Sequence, residues 1–509
     1  MPGCFLAPET LVTFRAAAIV SWDHITDLTC SRGKIISRIV ITALDVTCVY
    51  SLTHTIYNTS LILSGEGETK CYENLGCFTN DYPYWSVTRP VSIFPQSPES
   101  INTQFFLFTQ QNTDQYQVIK PRDLSSLQQS YFSSSRNSVF IIHGYMDLGD
   151  APWVVEICQA ILEREDVNCL CVDWSGGSGG DYLRTMNNVQ VVGAEIAYLI
   201  NSIVENYGCS LSAIHMIGHS LGCQICGEAG KRQQGIGRIT CLDGARQGFE
   251  GESTEITIDP TDADFVVSLH TDAGLIGFGM TTKTGHKDFF PNGGKTMTGC
   301  EKSQLLNVNG LSNLSGEAYN NLICNHLSAY NMFTSSIRNP EGFMGYCAPD
   351  YSSFQKGAGF PCSGDSCSLM GYYTEPGETS SCRTYYLNTG PLSNYERWRY
   401  RVTVQTGGDT IILGSISVTM YNSSESSDEH KIYSGPEVGA ESYSALVDGL
   451  FPPPIVRVTF SWHNSIPLLN PTLWAESVTL TYGNDGAEYA FCSDETTRGN
   501  NPQTLTPCL

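Results

Sequence analysis

The chain has 509 residues, 20 cysteines, a formal net charge of −23 and a sequence pI near 4.7. This length exceeds that of a usual single core and predicts two or three domains. The acidic balance argues against nucleic-acid binding, which depends on clustered Lys and Arg to neutralise phosphates. No uninterrupted apolar run of about 18 residues occurs, so the sequence predicts no membrane span.

The cysteine content predicts a secreted protein. Twenty cysteines without a metal-site pattern are too many for a reduced cytosolic chain. The glycosylation acceptors at Asn58, Asn313 and Asn422 are compatible with secretion. Residues 1–70 lack a leader-like basic patch and apolar run at their start, and we treat them as an N-terminal extension to which we assign no role.

The middle of the chain alternates strand and helix patterns. Short β-branched or apolar runs begin at Val139, Asn168, Leu211, Arg238 and Phe265. Between the second and third runs, Val and Ile recur at helical spacing over residues 189–203. This alternation predicts an α/β domain with a mainly parallel sheet, whose chemistry collects at the carboxyl ends of the strands.

After about residue 387 only strand patterns remain, for example "RWRYRVTVQ" and "VRVTFSWH", separated by Gly, Asn, Ser and Pro turns. We therefore predict a separate β-sandwich over residues 395–509, a common size for such a domain.

Two stretches match G-x-S-x-G, and they differ in the strand and helix patterns on either side of the serine. Ser220 in "IHMIGHSLG" follows a strand pattern and precedes a small-residue helix pattern, as a nucleophile elbow requires. Ser178 in "GGSGG" has no helix pattern directly after it and is expected to lie in a flexible loop. An acyl-transfer serine also needs a base and an orienting acid. Asp243 and Asp272 end the next two predicted strands, and His270, His286 and His326 all remain candidates for the base.

Residues 71–509 resemble the pancreatic triacylglycerol lipase family. The resemblance rests on "CYENLGCF", "FIIHGYMDLG", "CVDWSGGS", "IHMIGHSLG", "IDPTDADFV", "LHTD", "GHKDFFPNGG", "CNHLSAY" and "RWRYRV", in family order. It implies an α/β-hydrolase lipase domain over residues 71–394 and a C-terminal PLAT-like β-sandwich over 395–509.

Transferred position by position, the resemblance implies Ser220 as nucleophile, Asp243 as acid and His326 as base. It implies oxyanion donors at the backbone N–H groups of Tyr145 and Leu221. One departure stands beside the acid, where "LDGARQGF" replaces the family's proline-containing segment. This predicts a looser backbone at Asp243, and small displacements of catalytic groups can cost about 100-fold in rate.

The resemblance also implies a lid and a calcium site. The lid corresponds to residues 300–324, an amphipathic flap bracketed by cysteines, and a glycan at Asn313 would fix which of its faces meets lipid. Hard oxygen donors suited to Ca²⁺ are implied in "TEITIDPTDADF" and its approach. These are the side chains of Asp259 and Asp262 with the carbonyls of Thr254 and Thr257.

Further implications concern the disulfides. The implied pairs are Cys71–Cys77, Cys158–Cys169, Cys300–Cys324, Cys362–Cys367 and Cys492–Cys508. Gly359 stands at a family cysteine position, which leaves Cys347 to pair with Cys382. The cysteines at 171, 209, 223, 226 and 241 are expected to be buried small hydrophobes or reactive thiols.

The sequence therefore predicts a secreted serine esterase that acts on triacylglycerols at lipid–water interfaces, with structural calcium and no organic cofactor. A colipase-like partner is disfavoured, since residues 433–444 lack lysine. Two alternatives stay open: a phospholipase A1 or galactolipase with the same triad, and a lipid-carrying, yolk-type relative without strong catalysis.

Overall fold

A computed structural model of the protein describes residues 28–31, 34–37, 67–300, 317–377, 382–408, 412–437, 441–465, 472–493 and 501–508. Within these ranges the chain forms two large sheets and two small hairpins. The first hairpin pairs β1 (Leu28–Ser31) with β2 (Lys34–Ser37), and the second pairs β3 (Thr69–Tyr72) with β4 (Gly76–Thr79).

The larger sheet has 11 strands in the order β14-β13-β15-β12-β11-β10-β9-β7-β8-β5-β6. The strands are β5 (Gln104–Phe108), β6 (Gln117–Ile119), β7 (Ser138–Ile142), β8 (Asn168–Asp173), β9 (Ile214–His219), β10 (Arg238–Leu242), β11 (Phe265–Leu269), β12 (Lys287–Pro291), β13 (Met344–Cys347), β14 (Cys367–Leu369) and β15 (Thr384–Leu387). The pairs from β8 through β7, β9, β10, β11 and β12 to β15 are parallel.

Helices cover this sheet. They are α1 (Pro98–Ile101), α2 (Leu124–Gln128), α3 (Pro152–Leu162), α4 (Ser175–Ser178), α5 (Tyr182–Tyr207), α6 (Leu221–Arg232), α7 (Glu317–Arg338) and α8 (Tyr351–Gln355). Every residue of β7 is buried, as expected for a parallel strand covered on both faces. Two apolar clusters form, one containing Phe140 and Ile142 and the other containing Val139 and Ile141, so alternate side chains of one strand enter opposite layers. This confirms the predicted α/β arrangement, and the predicted helix over residues 189–203 lies within α5.

One predicted strand is shorter than expected. The apolar run from Leu211 begins with a single 3₁₀ turn, Leu211–Ala213, and extended structure starts only at Ile214. The carboxyl end of the strand is unchanged, and Ser220 directly follows it.

The second large sheet is antiparallel, with 8 strands in the order β18-β17-β20-β23-β22-β21-β16-β19. The strands are β16 (Trp398–Gly407), β17 (Ile412–Tyr421), β18 (His430–Glu437), β19 (Ser442–Gly449), β20 (Arg457–Asn464), β21 (Trp474–Tyr482), β22 (Glu488–Cys492) and β23 (Gln503–Pro507). They enclose a separate core that includes Tyr400, Val418, Phe460 and Trp462. The C-terminal part is thus the all-β sandwich expected of a PLAT-like domain.

Candidate active site

Ser220 lies on a strained turn between β9 and α6. Its backbone angles are φ 56° and ψ −119°, a conformation that a residue with a side chain rarely adopts. The turn is held by hydrogen bonds, since the Ser220 N–H donates to the Leu242 carbonyl at 3.1 Å and its own carbonyl accepts from Ala245 N at 3.0 Å. Strain that persists under such constraints clusters at functional sites. The geometry is that of a nucleophile elbow.

The glycines around Ser220 are required by close packing. A Cβ on Gly222 would lie 2.9 Å from the Ile142 carbonyl carbon, and one on Gly218 would lie 2.6 Å from Cys223 N. A Cβ on Gly144 would lie 2.8 Å from the Ser220 Cβ. The backbone that precedes Tyr145 therefore passes directly against the serine.

The rival motif has a different structure from the one expected. Ser178 lies in the short helix α4, and α5 begins soon afterwards at Tyr182, so the expectation of a loop without a following helix was wrong. The Ser178 hydroxyl is buried and donates to the Asp147 carbonyl at 3.0 Å. A Cβ on Gly180 would meet nothing within 4 Å, so this glycine is not required by packing as Gly218 and Gly222 are.

Asp243 follows β10 and is fully buried, with a positive φ of 49°. Its Oδ1 accepts from the backbone N–H groups of Thr271 at 2.8 Å and Asp272 at 3.0 Å. Its Oδ2 lies 2.6 Å from His326 Nδ1. The carboxylate is therefore held by three donors, although Gly244 replaces a rigid residue beside it.

His326 lies on α7 and is the histidine that meets the acid. One turn later on the same helix, the Tyr330 ring stacks on Trp153 with centroids 4.5 Å apart. The other two candidates face different partners: His270 Nε2 lies 2.8 Å from Asp288 Oδ1, and His286 Nδ1 accepts from Val266 N at 2.9 Å. The structure thus places beside Asp243 the histidine that the resemblance implies, whereas local sequence patterns alone left three histidines open.

A second histidine, His219, contacts both the backbone and the ring of His326. Its Nε2 lies 3.1 Å from the His326 carbonyl, and the two rings have centroids 4.6 Å apart. Burial, followed by the neighbouring His326, lowers the pKa of His219 well below its usual value. A neutral ring with Nε2 against a carbonyl must carry its proton on Nε2, so His219 donates. The sequence signal was the histidine directly before the serine, and we had not assigned it a role.

Asp272 completes a buried acidic group but does not bond His326. Its Oδ2 accepts from Phe278 N at 2.9 Å. Burial, and then the charge of Asp243, raise the pKa of Asp272 to about 6. Ligand-type atoms of Asp243, Asp272 and His326 lie within 4.8 Å of one another, a buried group whose spacing would suit a metal ion. Since His326 Nδ1 and Asp243 Oδ2 already bond each other, we interpret the group as an acid–base pair with a second carboxyl group beside it.

The two predicted oxyanion donors lie in segments on either side of Ser220. Leu221 is the first residue of α6, and N–H groups in the first turn of a helix have no partner within that helix. Tyr145 follows Gly144, which packs against Ser220. Both predicted oxyanion donors therefore belong to segments that flank the serine.

Exposed apolar side chains occur in two loops that follow strands at this edge of the sheet. Leu275 and Ile276, in the loop after Asp272, are 92% and 76% exposed. Met146 and Leu148, in the loop after Tyr145, are 65% and 51% exposed. Single exposed apolar residues need no explanation, but these four lie in two loops that adjoin the segments packed against Ser220 and Asp243, and we call them the apolar rim.

A family model described as Lipase matches residues 68–395, which include all of these groups. The chain belongs to the lipase family. Pancreatic triacylglycerol lipase of Mus musculus is 43% identical over 456 residues, covering 87% of this chain and 97% of that relative. Pancreatic lipase-related protein 2 of Myocastor coypus is 41% identical over 471 residues, covering 89% of this chain and 99% of that relative.

One further relative is named as inactive. Inactive pancreatic lipase-related protein 1 of Homo sapiens is 39% identical over 460 residues, covering 88% of this chain and 98% of that relative. Similarity to lipases over nearly the whole chain therefore extends to a relative named as inactive.

Seven disulfides connect the described residues of this lipase. They include the five implied pairs, Cys71–Cys77, Cys158–Cys169, Cys300–Cys324, Cys362–Cys367 and Cys492–Cys508, together with Cys347–Cys382. The seventh joins Cys223 to Cys241, so the expectation that both are unpaired was wrong. Cys171, Cys209 and Cys226 are free and buried. The predicted lid between Cys300 and Cys324 lies mainly at 301–316, outside the described residues, as does its acceptor Asn313.

The Cys223–Cys241 disulfide lies beside both Ser220 and Asp243. Cys223 is in the first turn of α6, three positions after Ser220, and Cys241 is in β10, two positions before Asp243. Their Cα atoms are 4.9 Å apart, within the range that a disulfide spans. The bridge therefore ties the segment of the predicted nucleophile to the strand of the predicted acid.

The residues predicted to bind calcium surround a side chain of the lipase itself. Lys231 Nζ donates to Asp262 Oδ1 and Oδ2 at 2.7 and 2.6 Å and to the Thr257 carbonyl at 2.9 Å. Asp259 Oδ2 lies 3.7 Å from the same nitrogen. Three of the four predicted donor residues thus face an ammonium group, and their oxygens are not free to coordinate a metal ion.

None of the described helices is both long and apolar enough to cross a bilayer.

Proposed function

We propose that this chain is a secreted triacylglycerol lipase that cleaves carboxylic esters at lipid–water interfaces. The observation that carries the proposal is the pairing of a strained, sterically confined Ser220 with a buried acid–base pair, Asp243 Oδ2 to His326 Nδ1 at 2.6 Å. Membership of the lipase family supplies the reaction class. Extensive disulfide bonding supports an oxidising, extracellular location.

In the proposed reaction, Ser220 Oγ attacks the ester carbonyl carbon while His326 Nε2 accepts its proton. Asp243 Oδ2 accepts the Nδ1–H of His326, fixes the tautomer and stabilises the imidazolium as it forms. The backbone N–H groups of Leu221 and Tyr145 would donate to the oxyanion, and one such donor can be worth roughly 3 kcal/mol.

The intermediate collapses as His326 returns the proton to the departing alcohol oxygen, leaving a fatty acyl group on Ser220. Water then attacks the acyl carbon while His326 accepts its proton, and as the bond to Ser220 Oγ breaks, His326 returns that proton to Oγ, which releases the fatty acid and restores the serine hydroxyl. Apart from the ester and water, every group that acts in this reaction belongs to the chain, and the proposal invokes no organic cofactor.

The apolar rim formed by Met146, Leu148, Leu275 and Ile276 supports action at a lipid surface. Arg246 fixes one half of it, since its NH1 donates to the carbonyls of Gly274 and Leu275 at 3.1 Å each. Apolar side chains held outward by a guanidinium can enter the headgroup boundary while the polar cluster stays beneath them. We propose that the predicted lid covers this rim in water.

Because one relative is named as inactive, lipid binding without strong catalysis is the second candidate function. Ester specificity is a separate question, since a phospholipase A1 or a galactolipase would use the same three residues. All of these alternatives would share this fold, so only measured rates of hydrolysis on different lipids can distinguish them.

The test is titration of fatty-acid release at constant pH on emulsified triacylglycerol, on phospholipid vesicles and on galactolipid, for the wild type beside Ser220→Ala. We expect release from triacylglycerol that disappears in the variant, with smaller rates on the other lipids. Ser178→Ala is the matched control, since it removes a buried serine hydroxyl at the rival motif. A folded wild type that releases no fatty acid from any of the three lipids would leave the lipid-binding function.

A further inference from the structure

The acidic site at the end of α6 is built around a lysine. Lys231 lies in the last turn of this helix, where a positive charge also meets the negative end of the helix dipole. Asp259 caps the 3₁₀ turn Pro260–Asp262 and Asp262 ends it; the Asp259 side chain accepts from Thr261 N, and Asp262 Oδ2 accepts from Asp259 N. The two carboxylates are thus fixed in place by their own turn.

An ammonium group and a calcium ion would need the same oxygens here. Lys carries three donor hydrogens, and the nearest oxygens come from both carboxylates and from the Thr257 carbonyl. Calcium takes six to eight oxygen ligands at about 2.3–2.6 Å. A metal on these oxygens would lie where the Lys231 nitrogen lies, at 2.6 Å from Asp262 Oδ2. The two cations exclude each other.

The location gives the lysine a structural task. The segment from Thr257 to Asp262 connects β10, which leads into Asp243, with β11, which leads into Asp272. Asp262 is buried, and its carboxylate also lies against α6, where a Cβ on Gly227 would be 3.0 Å from Asp262 Oδ2. Without Lys231, the buried Asp262 carboxylate would have no opposite charge beside it in the packing against α6.

We propose that Lys231 is the resident cation of this site, in the place that calcium takes in the resembled family, and that the folded chain needs no divalent metal there. Removing the ammonium converts the site into one that a divalent cation can enter. Folding and cation binding at this site do not depend on whether the chain hydrolyses lipid.

The experiment is thermal unfolding of the full chain in EDTA and over a calcium titration, with isothermal calorimetry of calcium binding beside it. We expect the wild type to have the same Tm in EDTA and in excess calcium, with no saturable heat. Lys231→Met should lower the Tm in EDTA by roughly 5 °C, because it leaves buried carboxylates without a partner. Calcium should then raise the Tm of the variant in a concentration-dependent manner, as binding to the folded state requires.

Lys283→Met is the matched control, because it removes the same charge from an exposed lysine and should leave both Tm and calcium response unchanged. A wild type that calcium stabilises saturably, with the effect lost in Asp262→Asn, would overturn the proposal. So would a folded Lys231→Met variant that gains no calcium response. If Lys231→Met does not fold, the wild-type titration and its Asp262→Asn comparison still decide.

Discussion

Gly244, the departure beside the predicted acid, has a steric partner in the structure, and this leads to a quantitative prediction. A Cβ at this position would lie 2.8 Å from Cys241 Sγ, 3.3 Å from Cys223 Cβ and 3.5 Å from Cys223 Sγ. A disulfide sulfur cannot rotate away as the end of a flexible side chain can. Gly244→Ala should therefore destabilise the wild type by about 1–3 kcal/mol, the usual cost of overpacking.

The same change should be tolerated once the sulfur atoms are gone. In a Cys223→Ala/Cys241→Ala background we expect Gly244→Ala to cost much less, so that the two changes couple by about 1 kcal/mol or more. The assay is denaturant unfolding of the four proteins of the cycle, with ester hydrolysis measured on each. Activity should fall in Gly244→Ala, because the clash pushes on the residue next to Asp243 and small displacements cost about 100-fold.

Equal costs of Gly244→Ala in the two backgrounds would refute the reasoning. It would mean that the glycine is needed for its backbone and not for the space beside the disulfide. The φ angle of Gly244 is not among the positive ones, so the backbone explanation has no support in the structure.

Three further predictions concern neighbours of the triad. The pKa of Asp272 is raised to about 6 from an ordinary 3.8, so its contribution to stability is full below the ordinary value and is lost as pH rises through the raised one. Asp272→Asn should remove a pH-dependent loss of up to about 3 kcal/mol between pH 4 and 7, measured by unfolding across that range. His219→Phe should lower kcat with little change in KM, since it removes the side-chain hydrogen bond to the His326 carbonyl, worth about 0.5–1.5 kcal/mol, and His219→Gln should recover part of the loss. An unchanged kcat in His219→Phe would contradict this role. Leu275→Glu should weaken adsorption to lipid emulsion while leaving hydrolysis of a soluble ester intact, and a matched loss on both substrates would exclude an interfacial role for the rim.

Much of the architecture could be read from local patterns. Buried parallel strands are continuous apolar runs, and their ends are marked by the polar residues that follow them, so β7 to β11 and the turn at Ser220 were predictable. The sandwich strands were predictable for a similar reason, since β-branched runs between turn residues are local signals. Local patterns did not distinguish the 3₁₀ turn at Leu211–Ala213 from the start of the strand that follows it.

The sequence by itself determined which segments form strands β7 to β11, the turn at Ser220, and a short set of candidate acids and bases, because these depend on residues close together in the chain. Only the tertiary structure decided which candidates meet. The pairing of His326 with Asp243, the support from His219, the Cys223–Cys241 bridge and the Lys231 cation all join residues from different segments. Such contacts depend on the packing of helices against the sheet, and no local period or spacing records them.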